Sequence, residues 1–173
     1  CEFIIYDETL IDPLKLVDMV GIEPKSKMGQ VKWYKQPTTD NIYLVTLDPS
    51  SGTGGDNAAI QVIEVPTMIQ VAEWQHNKSP VEKQMKVMME IMHYIKEQTK
   101  NLSQIYWTVE NNSIGEAALV VIRDTGEESF PGDFLHEPKR IQGKKGRKGY
   151  HTSHKNKMEA CLQLKRLVES NKI

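Results

Sequence analysis

The chain has 173 residues, of which 26 % are charged, 39 % hydrophobic and 7 % aromatic, with a formal net charge of -1. That composition suits one soluble globular domain with a sizeable core and excludes a disordered polymer or a collagen-like chain. The longest apolar runs are a few residues, far below the roughly 20 that span a bilayer, and CEFIIYDETL opens without a basic segment, so neither a membrane span nor an export signal is expected.

Cys1 and Cys161 stand at opposite ends of the chain, which argues against a disulfide framework or a zinc site and for a reducing compartment. A chain that opens on Cys and stops after LVESNKI reads as a piece of a longer polypeptide. Residues 1–40 read as an irregular lead-in or linker, with Pro13, Pro24 and Pro37, a short helical stretch from Pro13 to Val20, and the polar run EPKSKMGQ. From Asn41 the pattern tightens. NIYLVTLD is a buried strand, PSSGTGGDN a glycine-rich loop, and AAIQVIEV and MIQVAEWQ alternate around a Val65-Pro66-Thr67 turn as an antiparallel hairpin.

Ser79 and Pro80 match an N-cap and first helical position, and Val81, Met85, Met88, Met92 and Ile95 recur along one face of a helix running to Thr99. That methionine stripe is core packing rather than a ligand box. QIYWTVE is a second buried strand, followed by a helix from Ser113 to Asp124 with Ala117, Ala118, Val121 and Ile122 inward. DFLHE suits a short strand, and Ser153 to Ser170 a final helix burying Cys161, Leu164, Leu167 and Val168. The order β-β-β-α-β-α-β-α describes an α/β mixed sheet with an antiparallel three-strand hairpin extension, flanked by helices.

Asp48 ends the first of these strands and Glu110 the strand QIYWTVE. If the two strands are neighbours, both carboxylates meet at the edge where open α/β sheets place their sites. Hard oxygen donors without a Cys or His cluster select Mg²⁺ or Mn²⁺ over zinc, and Asp56 can curl back across the glycine loop to join them. Asp48 in an Asp-Pro turn and Glu110 ahead of a helix N-terminus also suit structural roles, and spacing leaves both readings open. Gly52, Gly54 and Gly55 fit an anion nest or a plain hairpin connection, and no Walker A signature follows them.

From Lys139 to Lys157 the segment KRIQGKKGRKGYHTSHKNK carries eight Lys or Arg and no acid, so the neutral average hides a cationic stretch. Such a stretch attracts phosphate backbones or simply lies solvated at the surface. His151 and His154, flanked by lysines, are expected to face solvent, and Trp33, Trp74 and Trp107 are too scattered for a base-stacking platform.

CEFIIYDETLI, YLVTLDPSSGTGGDNAA, YWTVENNSIG and GYHTSHKNKMEACLQLKRLVESNKI together resemble the nuclease domain of the large terminase subunit of tailed, myovirus-type phages, over nearly the whole chain. The resemblance implies a ribonuclease H-like fold over 41–173, led into by 1–40 from a preceding ATPase domain. It also implies a metal-dependent endonuclease that cuts concatemeric DNA during headful packaging. By the family pattern Asp48, Glu110 and Asp56 are the catalytic, metal-binding acids. Two Mg²⁺ or Mn²⁺ ions about 3.5–4 Å apart would activate water and stabilise the leaving 3′-oxygen, with Asp48 bridging them and Glu110 holding one.

Asn111 and Asn112 would position the phosphate, though Asn after a strand also forms turns. Lys144, Lys145, Arg147, Lys148, Thr152 and Lys157 would track double-stranded DNA without reading its bases. The implied partners are the terminase ATPase domain, the small terminase subunit and the portal, in the cytoplasm of an infected bacterium, with no membrane. The family's third catalytic acid, in a His-Asp-Asp-type stretch, has no match in residues 1–173, so weak or absent activity is expected, with Glu137 as the in-chain substitute. A non-catalytic DNA- or protein-docking module of the same fold is the alternative. An actin-like nucleotide binder ranks behind both, because it needs a second phosphate loop that is not visible.

Overall fold

The structure, a computed structural model, describes residues 9–19, 21–137, 146 and 148–172. They fall into two compact units, Pro24–His151 and Cys1–Glu23 with Thr152–Ile173. In the larger unit β1 (Ser26–Met28), β2 (Val31–Trp33), β3 (Ile42–Asp48), β4 (Ala58–Val65), β5 (Ile69–His76), β6 (Ile105–Val109) and β7 (Asp133–Phe134) form a 7-stranded sheet. Its order is β1-β2-β5-β4-β3-β6-β7. Strands on the β4 side of β3 pair antiparallel, whereas β3 with β6 and β6 with β7 pair parallel. β3 is therefore the strand at which the sheet changes from antiparallel to parallel.

Period-two alternation explains why these runs are strands. Tyr43, Val45 and Leu47 of β3, Ile60 and Val62 of β4, and Ile105, Trp107 and Val109 of β6 are buried, with more accessible residues between them. Against this face lie α2 (Val81–Thr99), with Met85, Met88, Ile91, Met92 and Ile95, and α3 (Ile114–Thr125), with Ala118 and Ile122. Each large apolar side chain of this cluster contributes about 1.5–3 kcal/mol on full burial, so the cluster carries the unit's stability. The three tryptophans are core residues, and Trp107 stacks on Phe134 with ring centroids 4.1 Å apart.

Several expectations need correction. The lead-in is not wholly irregular, because β1 and β2 extend the sheet beyond β5. All of β1 is exposed and so carries no apolar alternation, while β2 buries Val31 and Trp33 on either side of exposed Lys32. Helix α2 begins after Pro80, which takes the cap position without a side-chain cap; the carbonyl of Ser79 instead accepts from Gln84 Nε2 at 2.7 Å. Ala117 is exposed, one position off the buried stripe of α3, and β7 is only two residues long.

In the smaller unit α1 (Pro13–Asp18) is capped by Asp12 and α4 (His154–Glu169) by Ser153. Lys15 Nζ donates to Asn171 Oδ1 at 3.0 Å and Lys165 Nζ to the Leu10 carbonyl at 2.9 Å. Val168 is buried and Cys161 and Leu167 are half-buried, but Leu164 is exposed. The short α1 buries no side chain of its own. Among the described residues no helix is long and apolar enough to cross a membrane.

Candidate active site

The two strands that end in Asp48 and Glu110 are neighbours, as the reading of the acids requires. β3 and β6 pair in parallel register up to Leu47 beside Val109, and the Glu110 N–H donates to the Leu47 carbonyl at 2.9 Å. One step further the register sets Asp48 alongside Glu110, on strands about 4.8 Å apart. Leu47 and Val109 point into the core, so by alternation Asp48 and Glu110 point to the other face, Asp48 exposed and Glu110 half-buried. The pair thus sits at the carboxyl ends of β3 and β6, the edge at which open α/β sheets bind ligands.

Asp56 lies exposed in the loop between β3 and β4. Among the described residues no three His, Cys, Asp or Glu side chains group so as to hold a metal ion, so Asp56 stands outside any such trio. The donor set at the edge is two hard carboxylates. That fits Mg²⁺ or Mn²⁺, which are commonly held by one or two carboxylates with water and substrate phosphate completing the shell.

The chain leaving Asp48 is closely held. Pro49 confines the backbone of Asp48 to extended conformations. The fully buried Gln84 of α2 accepts from the Ser50 N–H at 3.3 Å and donates to the Ser50 carbonyl at 2.7 Å. Beyond it, the Gly54 N–H donates to the Asn77 carbonyl at 2.8 Å and Asn77 Nδ2 returns to the Gly54 carbonyl at 3.2 Å. The glycine loop is thereby tied to the segment before α2, with the Gly54 N–H engaged internally.

Around Glu110 the contacts are equally specific. Asn112 Nδ2 donates to Glu110 Oε1 at 2.9 Å. Gly115, in the first turn of α3, packs so close to the Glu110 carbonyl that a Cβ there would collide with it. The segment Lys148–His151 then runs beside Glu110 and Asn111. The Tyr150 N–H donates to the Val109 carbonyl at 2.9 Å, the Asn111 N–H to the Tyr150 carbonyl at 2.7 Å, and Asn111 Nδ2 to the Lys148 carbonyl at 2.9 Å. Gly149, at φ 71, makes this approach possible, since a Cβ would meet the Val109 carbonyl.

His151 is not the solvent-facing residue expected from its lysine neighbours. It is half-buried, its N–H donates to Glu137 Oε1 at 3.0 Å, and its Nδ1 lies 3.2 Å from the Asn111 carbonyl. His154 is exposed as expected. Of the cationic stretch, Lys144, Lys145 and Arg147 lie outside the described residues. Lys148 is exposed and pairs with Glu127 at 3.0 Å. In the smaller unit Thr152 is half-buried and Lys157 exposed on α4. Sequence reasoning missed Gln84, whose place within a methionine stripe gives no signal of its contact with the loop.

A mixed sheet of this order, flanked by helices, is a ribonuclease H-like fold. The chain belongs to the terminase RNaseH-like domain family, which matches residues 45–173. Among solved structures it is similar to the large terminase nuclease of thermophilic phage G20c, with a TM-score of 0.62 and 15 % identity over 90 % of this chain and 69 % of that one. It is also similar to the large terminase nuclease domain of Thermus phage P74-26, with a TM-score of 0.57 and 15 % identity over 90 % of this chain and 67 % of that one. The G20c nuclease has been solved with bound magnesium, with a TM-score of 0.61 to this chain at 15 % identity, over 90 % of this chain and 69 % of that one. At such identities the likeness establishes the fold. No curated protein matches the chain.

Proposed function

We propose that this chain is the DNA-cutting part of a phage packaging terminase, hydrolysing phosphodiesters with divalent metal held at Asp48 and Glu110. The observation that supports the reading is the parallel register of β3 on β6, which brings the two strand ends carrying Asp48 and Glu110 side by side. The G20c nuclease, solved with magnesium, with zinc and with cobalt bound, supports a divalent ion on a fold of this kind without selecting which. Bound there, such ions supply an activated water and neutralise charge on the phosphate and the leaving oxygen.

The chain's own residues do the rest. Asp48 and Glu110 would hold the ions, Asn112 restrains Glu110 through its 2.9 Å hydrogen bond, and Asp56, exposed in the loop after Asp48, would act only from outside that pair. Asn111 anchors the Lys148–His151 segment beside the site, and the cationic stretch ahead of it tracks the DNA backbone. Among the described residues two carboxylates meet at this edge, and two hold a cation more weakly than three, so the cleavage we expect is slow.

Nicking of supercoiled plasmid by the full chain tests this. Slow Mn²⁺- or Mg²⁺-dependent nicking should be abolished by EDTA and reduced about 100-fold or more by Asp48→Ala and by Glu110→Ala. Nicking indifferent to Asp48→Ala would place the site elsewhere. Absent nicking with salt-dependent DNA binding that ignores both substitutions would make the chain a docking module.

A further inference from the structure

We propose that Gln84 is a positioning residue for Asp48, a side-chain amide that takes over from the β-ladder where β3 ends and fixes the backbone carrying the metal-binding carboxylate. The inference rests on the metal reading above and extends it to a residue that touches no metal itself.

The pairing of β3 with β4 ends at Asp48 opposite Ala59, and the parallel pairing with β6 ends one hydrogen bond past Val109. A chain leaving a sheet there loses its partners, and an unpaired buried peptide group is costly. Ser50 is buried, yet its N–H and carbonyl are both met by one side chain, Gln84 Oε1 at 3.3 Å and Nε2 at 2.7 Å. That two-bond arrangement reproduces what a neighbouring strand would offer. The second Nε2 proton goes to the Ser79 carbonyl at 2.7 Å, tying the same amide to the start of α2.

Three bonds use the amide's acceptor and both its donors, so its orientation is determined: flipped, it would set N–H against N–H and oxygen against oxygen. Gln84 is 0 % exposed on the helix face that otherwise presents Met85, Met88 and Met92 to the core. A polar residue in that stripe contributes no apolar packing and would be costly without its partners. What it does contribute is rigidity to Asp48–Pro49–Ser50, held by the ladder on one side of Asp48 and by the amide on the other. Groups that orient metal-binding side chains in this way typically change metal affinity about 10–100-fold when removed.

Mn²⁺ titration of the full chain, with thermal unfolding and amide hydrogen exchange in parallel, tests the assignment. Gln84→Met keeps the volume and removes all three bonds. Met92→Ala, about 12 Å further along the same helix, removes core packing without touching the loop. Gln84→Met should weaken Mn²⁺ binding about tenfold and speed exchange at Ser50, with exchange in β3 unchanged. Met92→Ala should lower the unfolding temperature at least as much yet leave Mn²⁺ affinity within about twofold. Equal losses of affinity in the two variants, or affinity unchanged in Gln84→Met, would overturn the proposal. If the unsubstituted chain bound no Mn²⁺, or bound it no better than Asp48→Ala does, the metal reading would fail instead. Gln84 would then be judged on exchange alone, and unchanged protection of the Ser50 amide would overturn its role.

Discussion

Glu64 of β4 shows how differently two acids on one hairpin are used. It is 1 % exposed, receives a 2.6 Å ion pair from Lys35 and a 2.8 Å hydrogen bond from Thr67 Oγ1, and stands opposite Tyr43 at the start of β3. Burial pushes its pKa up, but the hydrogen bonds from Lys35 and Thr67 and the charge of Lys35 outweigh that and hold it below the ordinary 4.5. A carboxylate with a lowered folded pKa contributes stability that is fully present above its unfolded value and is lost as pH falls through the folded one. Stability should therefore be flat in this respect from neutral pH down to about 4.5 and decline below it. Glu64→Gln should cost about 1–3 kcal/mol at pH 7, shrinking towards zero as the unsubstituted protein also loses the charge. Urea unfolding at pH 7 and pH 3 checks this, and an equal deficit at both would show that the ion pair is not the source. Asp48 lies five residues along β3 from Tyr43, about 17 Å away, so metal binding should survive the change.

Among the elements, the hairpin β4–β5 and the helix α2 announce themselves through periodicity, and the carboxylates Asp48 and Glu110 through their position at the ends of apolar runs. What the sequence hides is whatever depends on partners distant along it. β1 is wet on both faces and leaves no pattern, the Lys35–Glu64 pair spans 29 positions, and the contact of His151 with Asn111 spans 40. Gln84 is hidden for a further reason, since its partners are backbone groups and any loop would supply them. The cationic stretch belongs to this scale as well. Midway along it, Lys148 and Tyr150 are hydrogen-bonded to Asn111 and Val109 beside Glu110, an anchorage that would suit guiding a duplex towards the acids. Replacing Lys144, Lys145, Arg147 and Lys148 with Gln should weaken duplex binding alike for all sequences. It should also flatten the dependence of log affinity on log salt by about 0.9 for each phosphate that is no longer neutralised. Titrations across moderate salt, where the Debye length is on the order of 10 Å, measure that slope. A slope unchanged by the four substitutions would leave the stretch as a solvated surface loop.

At the scale of the molecule, one sheet carries two separate duties. Its helix-covered face is the packed core, and its carboxyl edge, on the opposite face at β3 and β6, holds the acid pair. The chain belongs to the terminase RNaseH-like domain family and shares its fold with the phage G20c nuclease. Everything proposed for this edge requires that Asp48 and Glu110 bind the same ion or ions. Anomalous diffraction from crystals of the full chain soaked in Mn²⁺ addresses that requirement. A manganese peak within coordinating distance of both carboxylates, lost in Asp48→Ala, is expected. Carboxylates turned to separate faces, or manganese bound only away from this edge, would contradict it.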